Sequence, residues 1–283
     1  MAPGTQPRVL RSKREIGLMR NAGLLVWHAH QAAARLIRPG VTTGELDSAI
    51  VETFAAVDAT PLFLGYPGKT PFPAVSCISI NEELVHGIPG ERQLTAGDIV
   101  SIDTGAKLNG WCGDAAVTHA VGEIDSRANK LLKVTNGALE LAIALMATKK
   151  MWSEVAREIQ DYVEGHKFSV VTDMVGHGIG QSMHEPPQVP NYYDDNWVQE
   201  DDFDLRPGVV LAIEPMVNVG TNKLRHLSDH WTAITKDKSL CAHFEHTVAM
   251  TTEGPRRLTG PPGPDEKADM PDWLQDDDQW YRW

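Results

Sequence analysis

Apolar and polar positions along this chain follow two rhythms. The first has a period near 3.6. In "SKREIGLMRNAGLLVWHAHQAAARLI" (12–37) apolar residues recur at helical spacing, Ser12 and Glu15 form a capping-box pair, and "RPG" stops the run. A second capping pair, Thr42 and Glu45, opens a helix expected to reach about Val57. Two more helices are expected over 126–148 and 153–165. The second rhythm has a period near 2. It marks "AVSCISIN" (74–81) as a strand, and "DIVSIDTGAKLNGWCGDAAVTHAVG" (98–122) as two strands joined by a turn at Lys107–Gly110. Further strand-like runs are "FSVVTDMVGHG", "GVVLAIEPMVNVG", "HWTAITK" and "AHFEHTVAMT". The Pro-rich, acidic stretch 185–208 reads as a long loop.

The pattern also repeats. "LTAGDIVSID" (94–103) aligns with "LRPGVVLAIE" (205–214): Leu, two variable residues, Gly, an apolar run, then an acid after Ile. "HGIPG" (86–90) echoes "HGIGQ" (177–181) upstream of each. Each half reads helix, helix, strand, His-Gly-Ile, strand, acid, strand. This order predicts a duplicated α+β half, with Asp103 and Glu214 at matching places near a pseudo-twofold axis.

Bulk properties narrow the class. A length of 283 residues fits one large domain, and 42% hydrophobic with 23% charged residues is ordinary globular composition. The net charge of −12 argues against a broad nucleic-acid or anionic-membrane surface. Three cysteines with no CxxC spacing give no disulfide framework and suit a reducing cytoplasm. No uncharged run approaches the roughly 18 residues that a membrane helix needs. The expected organisation is a disordered leader (1–11), a catalytic domain (12–254) and a Pro-rich acidic tail (255–283). Trp273, Trp280 and Trp283 lie in that tail.

The candidate chemistry is acidic. A turn centred between Leu108 and Asn109 sets Asp103 directly opposite Asp114 on one face of the hairpin. Opposed Cβ atoms there lie about 4.5–5.5 Å apart. With apolar flanks, such a pair either shares a proton or holds a cation. Glu214 in "VVLAIEPMV" and Glu245 in "HFEHTVAM" are also carboxylates inside apolar strands. His177 and His184 stand seven residues apart around Gly178 and Gly180, too far for one helix face but suited to a chain that turns back into one cavity. Four acids and one imidazole make an oxygen-rich set that suits Mn, Fe(II), Co or Zn better than a structural zinc site does.

Five segments, in order, carry a resemblance: "SCISINEELVHGIPG", "SIDTGAKLNGWCGDAA", "GHGIGQSMHEPPQVPNY", "LAIEPM" and "KSLCAHFEHTVAMT". Over roughly 12–254 the chain resembles the bacterial type I methionine aminopeptidases. The resemblance implies an α+β pita-bread fold: two pseudo-symmetric halves with a central curved antiparallel sheet covered by helices. It implies a dimetal site of Asp103, Asp114, His177, Glu214 and Glu245, with Asp114 and Glu245 bridging two divalent ions. His86 and His184 would be the non-ligand active-site histidines, and Glu214 would carry a proton. By motif, Phe63, Tyr66, Cys77, Met183 and Trp231 would form the side-chain pocket, with Phe72 an alternative to Tyr66. The implied activity is removal of the initiator methionine from nascent polypeptides when the second residue is small. The expected enzyme is a cytoplasmic monomer, with transient ribosome association left open. A prolidase-like enzyme and a non-catalytic binder on the same scaffold are the rival readings.

Overall fold

Ser12 caps the first helix as the pattern requires. Its amide donates to the Glu15 carboxylate at 2.7 Å, and its hydroxyl accepts from the Glu15 amide. Thr42 and Glu45 repeat the arrangement at the second. A computed structural model describes residues 9–263 and Glu266. The helices are α1 (Lys13–Ala34), α2 (Thr43–Ala55), α3 (Ser126–Met146), α4 (Trp152–Gly165) and α5 (Asp195–Asp201). The strands of the first half are β1 (Thr60–Pro61), β2 (Ser76–Ile80), β3 (Glu83–Val85), β4 (Ile99–Leu108) and β5 (Trp111–Ala120). Then follow β6 (Ser169–Val170), β7 (Gly176–Gly178), β8 (Glu185–Val189), β9 (Val210–Ile213) and β10 (Met216–Asn218). The last are β11 (Leu224–His226), β12 (Ala233–Thr235), β13 (Cys241–His243), β14 (Glu245–Thr251) and β15 (Gly254–Arg257).

Nine strands form one antiparallel sheet in the order β1-β4-β5-β14-β9-β7-β8, with β2 on β4 and β15 on β14. This is the curved, helix-covered sheet expected from the resemblance. Each half has its own core. Leu25, Leu46 and Phe54 of α1 and α2 pack on Ile78, Ile102 and Ala115. Leu131, Leu139, Trp152 and Ile159 of α3 and α4 pack on Leu211, Ile213 and Val248. Strand alternation then turns Asp103 and Asp114, the neighbours of Ile102 and Ala115, to the opposite face of the sheet.

Three sequence expectations need correction. Asp103 pairs with Ala116, and Asp114 pairs with Gly105, so the two acids are diagonal neighbours rather than opposed. The turn is the two-residue Asn109–Gly110, both at positive φ (50° and 84°), and it sits one residue later than the hydrophobic pattern suggested. The stretch 185–208 holds β8 and α5 as well as loop. Its prolines are tolerated because β8 ends the order of the sheet, where a missing N–H breaks no ladder. Finally, 254–257 pair as β15 and belong to the sheet.

The chain beyond β15 is fastened to α1. The Arg20 guanidinium donates to the carbonyls of Leu258, Gly260 and Pro261 and to the Glu266 carboxylate. At the other end, the Arg11 amide donates to Gly208 O at 2.7 Å, so the described part of the expected leader is also pinned. The tail tryptophans lie outside the described residues.

Candidate metal centre and substrate cavity

The central strands end at a cavity of about 720 Å³, and all twelve residues expected from the sequence line it. Asp103 of β4 and Glu245 of β14 both pair with Ala116, one on each side of β5. Asp114 sits two residues before Ala116 on the same face. Gly105 makes room for it: a Cβ there would lie 2.9 Å from Asp114 Oδ1. Thr247 clamps the Asp114 backbone, accepting from its amide at 3.0 Å and donating to its carbonyl at 2.9 Å. His177 of β7 pairs with Ala212 of β9. Glu214 follows one residue beyond the Ile213–His246 pair, which carries it toward Glu245.

One ligand atom each from Asp114, His177 and Glu245 lie within 4.8 Å of one another, a group able to hold a metal ion. His177 Nε2 is also 3.7 Å from Glu214 Oε1. Three carboxylate oxygens, Asp103 Oδ1, Asp114 Oδ1 and Glu245 Oε1, are buried without a hydrogen-bond partner. Buried anions without partners are costly, and a cation is the group that would satisfy all three. Burial, with repulsion from the neighbouring acids, pushes the Asp103, Glu214 and Glu245 carboxyls well above their ordinary range. Burial pushes Asp114 up to about 7. His177 is held down to about 4, chiefly by burial and then by nearby His184. Its Nδ1 lies 2.9 Å from Gly178 O, a contact that places the proton on Nδ1 and leaves the Nε2 lone pair for a metal. The donor set therefore fits a divalent cation.

The two remaining histidines flank this group. The His184 ring stands edge-on to His177 at 4.3 Å between centroids, and its Nδ1 is 2.8 Å from the Tyr66 hydroxyl. His86 is half-buried at φ +60°, an uncommon conformation for a residue with a Cβ. Burial, then the charges of His226 and His184, lowers its pKa to about 4.

Beside the acids lies an apolar pocket. Phe63, Phe72, Ala74 and Cys77 are buried together, with Tyr66, Met183 and Trp231 packed against them. Tyr66 and Phe72, the two alternatives in the sequence, both line the cavity. Gly68 lets the loop cross the Trp231 indole, since a Cβ there would meet the ring at 2.5 Å. The indole N–H donates to Thr70 O at 3.0 Å.

Sequence reasoning missed His243. Its Nε2 is 3.7 Å from Glu214 Oε2, and neither ring nitrogen has a hydrogen-bond partner. The available signal was its place two residues before Glu245, although the chain leaves β13 at His243 and enters β14 of another sheet at Glu245. Met174, Gln188 and Asp201 also line the cavity and were not foreseen; the last two come from the stretch 185–208 that reads as loop.

A pita-bread sheet carrying buried carboxylates and one metal-ready imidazole defines a metallopeptidase. Residues 17–252 match metallopeptidase family M24. Methionine aminopeptidase 1 of Bacillus subtilis (strain 168) is 46% identical over 246 residues, 87% of this chain and 96% of its own length. The crystal structure of methionine aminopeptidase from Thermotoga maritima matches with a TM-score of 0.84 at 40% identity, covering 90% of this chain and 100% of that one. The chain belongs to family M24 and, within it, to the methionine aminopeptidases; it is a metallo-aminopeptidase. A prolidase from Pyrococcus furiosus, 23% identical with a TM-score of 0.69, matches over 90% of this chain and 66% of its own length, and shares the fold alone.

Proposed function

We infer that the protein removes the N-terminal methionine from nascent polypeptides with a small second residue, using two divalent cations. The observation that carries this reading is the adjacency just described: orphaned carboxylate oxygens beside His177, on the floor of a cavity whose wall is an apolar pocket. Asp103, Asp114, His177, Glu214 and Glu245 would hold the metal. Four carboxylates carry more charge than one divalent ion balances, which supports a pair. When bound, such ions lower the pKa of water and polarise a carbonyl.

The remaining work falls to side chains. The pocket of Phe63, Tyr66, Phe72, Cys77, Met183 and Trp231 takes an unbranched thioether, a flexible group that fills irregular apolar space and favours aromatic neighbours. His184 donates toward the oxygen of the scissile carbonyl as negative charge builds there. His86 contacts the scissile nitrogen. Glu214 receives the proton of the attacking water and passes it to the leaving amine. The three cysteines are buried and free, which supports a reducing cytoplasm as the place of action. No described helix is long and apolar enough to cross a membrane.

The test is turnover of Met-Ala-Ser alongside metal analysis, with and without chelator. Free methionine should appear, should vanish on chelation, and should return with manganese, cobalt, ferrous iron or zinc at about two ions per chain. Preference for a proline in second position would instead support the prolidase-like reading. A well-folded, metal-replete protein that releases nothing would leave the non-catalytic binder.

A further inference from the structure

Tyr66 enters the site as pocket wall, yet its polar end points elsewhere. Its hydroxyl lies 2.8 Å from His184 Nδ1, and the two rings meet edge to face at 5.5 Å and 89°. We propose that Tyr66 is a positioning residue: its hydroxyl donates to His184 Nδ1 and so holds the imidazole as the tautomer whose Nε2–H serves the reaction. The proposal rests on the aminopeptidase reading above and adds to it a role that is separate from side-chain recognition.

The geometry around both residues supports this. His184 is exposed on a loop, and the backbone of that loop is well held. Glu185 accepts from the amides of Gln181 and Ser182 at 2.9 and 3.1 Å and pairs with Arg11, whose guanidinium lies 5.2 Å from the Trp111 ring. The backbone is thus fixed, and the ring is oriented by the Tyr66 hydroxyl at Nδ1 and by its edge-on packing against His177. A neutral imidazole has one donor nitrogen and one acceptor, and the partner of the first decides the role of the second. Were Nδ1 the protonated atom, Nε2 would present a lone pair to the developing oxyanion and repel it. A tyrosine hydroxyl that donates to Nδ1 stabilises the tautomer with the proton on Nε2.

Tyr66 is itself braced. Its amide donates to Phe63 O at 2.9 Å, and its carbonyl accepts from the Phe72 amide at 3.0 Å. Its ring packs on the buried cluster of Phe63, Phe72, Ala74 and Cys77. The hydroxyl therefore reaches His184 from a fixed frame. The ring and the hydroxyl have separable jobs, and Tyr66→Phe removes only the second.

The experiment compares wild type, Y66F, H184A and the Y66F/H184A double variant, all metal-loaded, on Met-Ala-Ser. Y66F is expected to lose about tenfold in kcat with KM within about twofold. That is less than the 10²–10³-fold cost of deleting an oxyanion donor outright, because part of the population keeps the working tautomer. In the H184A background the same change is expected to cost nothing further, since the hydroxyl acts through the ring that has gone. On zinc-loaded, 15N-histidine-labelled protein, the His184 resonances, assigned by their absence in H184A, should show Nε2 protonated in wild type and a mixture in Y66F. A Y66F enzyme with unchanged kcat and an unchanged 15N pattern overturns the proposal, as does an equal loss in both backgrounds. If wild type itself releases no methionine, the aminopeptidase reading fails instead, and the two failures are told apart.

Discussion

The two halves of the molecule enter their key strands by the same turn. Gly97 and Gly208 occupy equivalent places in the repeat, with φ of 98° and 99°. Gly97 N donates to Val121 O at 2.9 Å, and Gly208 N donates to Met250 O at 2.8 Å. Asp98 N and Val209 N both donate back across the turn, at 3.1 and 3.2 Å. From this shared start the halves diverge. The first runs into a hairpin of two ten-residue strands that carries the Asp103 and Asp114 carboxyls at the cavity floor. The second runs into β9 of four residues beside β7 of three, and its chemistry sits at strand ends and on loops: His177, His184 and Glu214. One duplicated turn thus opens a long ladder that carries Asp103 and Asp114 on one side, and on the other short strands that carry His177 and lead into Glu214.

This contrast can be broken from either side. The largest effect is expected at the floor. Asp114→Asn should abolish tight metal binding and cut turnover by roughly a thousandfold or more, as several kcal/mol of transition-state stabilisation goes with the metal. Metal stoichiometry and kcat/KM, read together, check it. On the loop side, His184→Ala should cost about 10²–10³ in kcat while metal content stays at the wild-type value. Loss of metal in H184A would show that the two sides are not separate.

A smaller effect sharpens the cost of the floor itself. In excess chelator, D114N should melt above wild type, by about 2–4 °C for each kcal/mol of carboxylate burial cost relieved. The pH dependence follows from the same raised carboxyl. The folded, chelated protein keeps a proton on Asp114 up to about pH 7, whereas the unfolded chain releases it near pH 4. The stability of chelated wild type should therefore fall as pH climbs from 4 through 7, and a melting series across that range should show D114N flatter. The smallest difference compares the two turns. Gly97→Ala should cost roughly 1–3 kcal/mol from φ alone. Gly208→Ala should cost more, because its new Cβ would meet Leu10 Cβ at 3.0 Å and Arg11 O at 3.1 Å while Gly97 faces open space. Denaturant midpoints would rank them.

Much of this was legible in the residues. Helix starts were written in Ser12/Glu15 and Thr42/Glu45, and the acids announced themselves because carboxylates are rare in apolar strands. The hairpin register was not, because hydrophobic alternation fixes the face of a residue and leaves its partner to the turn. The Asn109–Gly110 pair, able to take positive φ at both positions, moved the centre by one and made Asp103 and Asp114 diagonal. β8 was hidden because Pro186 and Pro187 read as breakers, which they are everywhere except where no partner strand needs the N–H. His243 was masked by its neighbour: in "AHFEH" Glu245 drew the eye, and the break between β13 and β14 that brings His243 to Glu214 is a property of the folded chain. The separate task of the Tyr66 hydroxyl could not be read at all, since the distance between 66 and 184 is a property of the folded chain.

Arg20 sets a limit on trimming. Its guanidinium is lodged in the body of α1, and its carbonyl acceptors come from 258–261, beyond the point where the family motifs stop. A protein cut back to Gly254 would retain the cation and lose the oxygens that neutralise its N–H groups, so a deletion aimed at the far end would wound the first helix. Shortened versions that end after Glu266 should keep the thermal resistance of the parent.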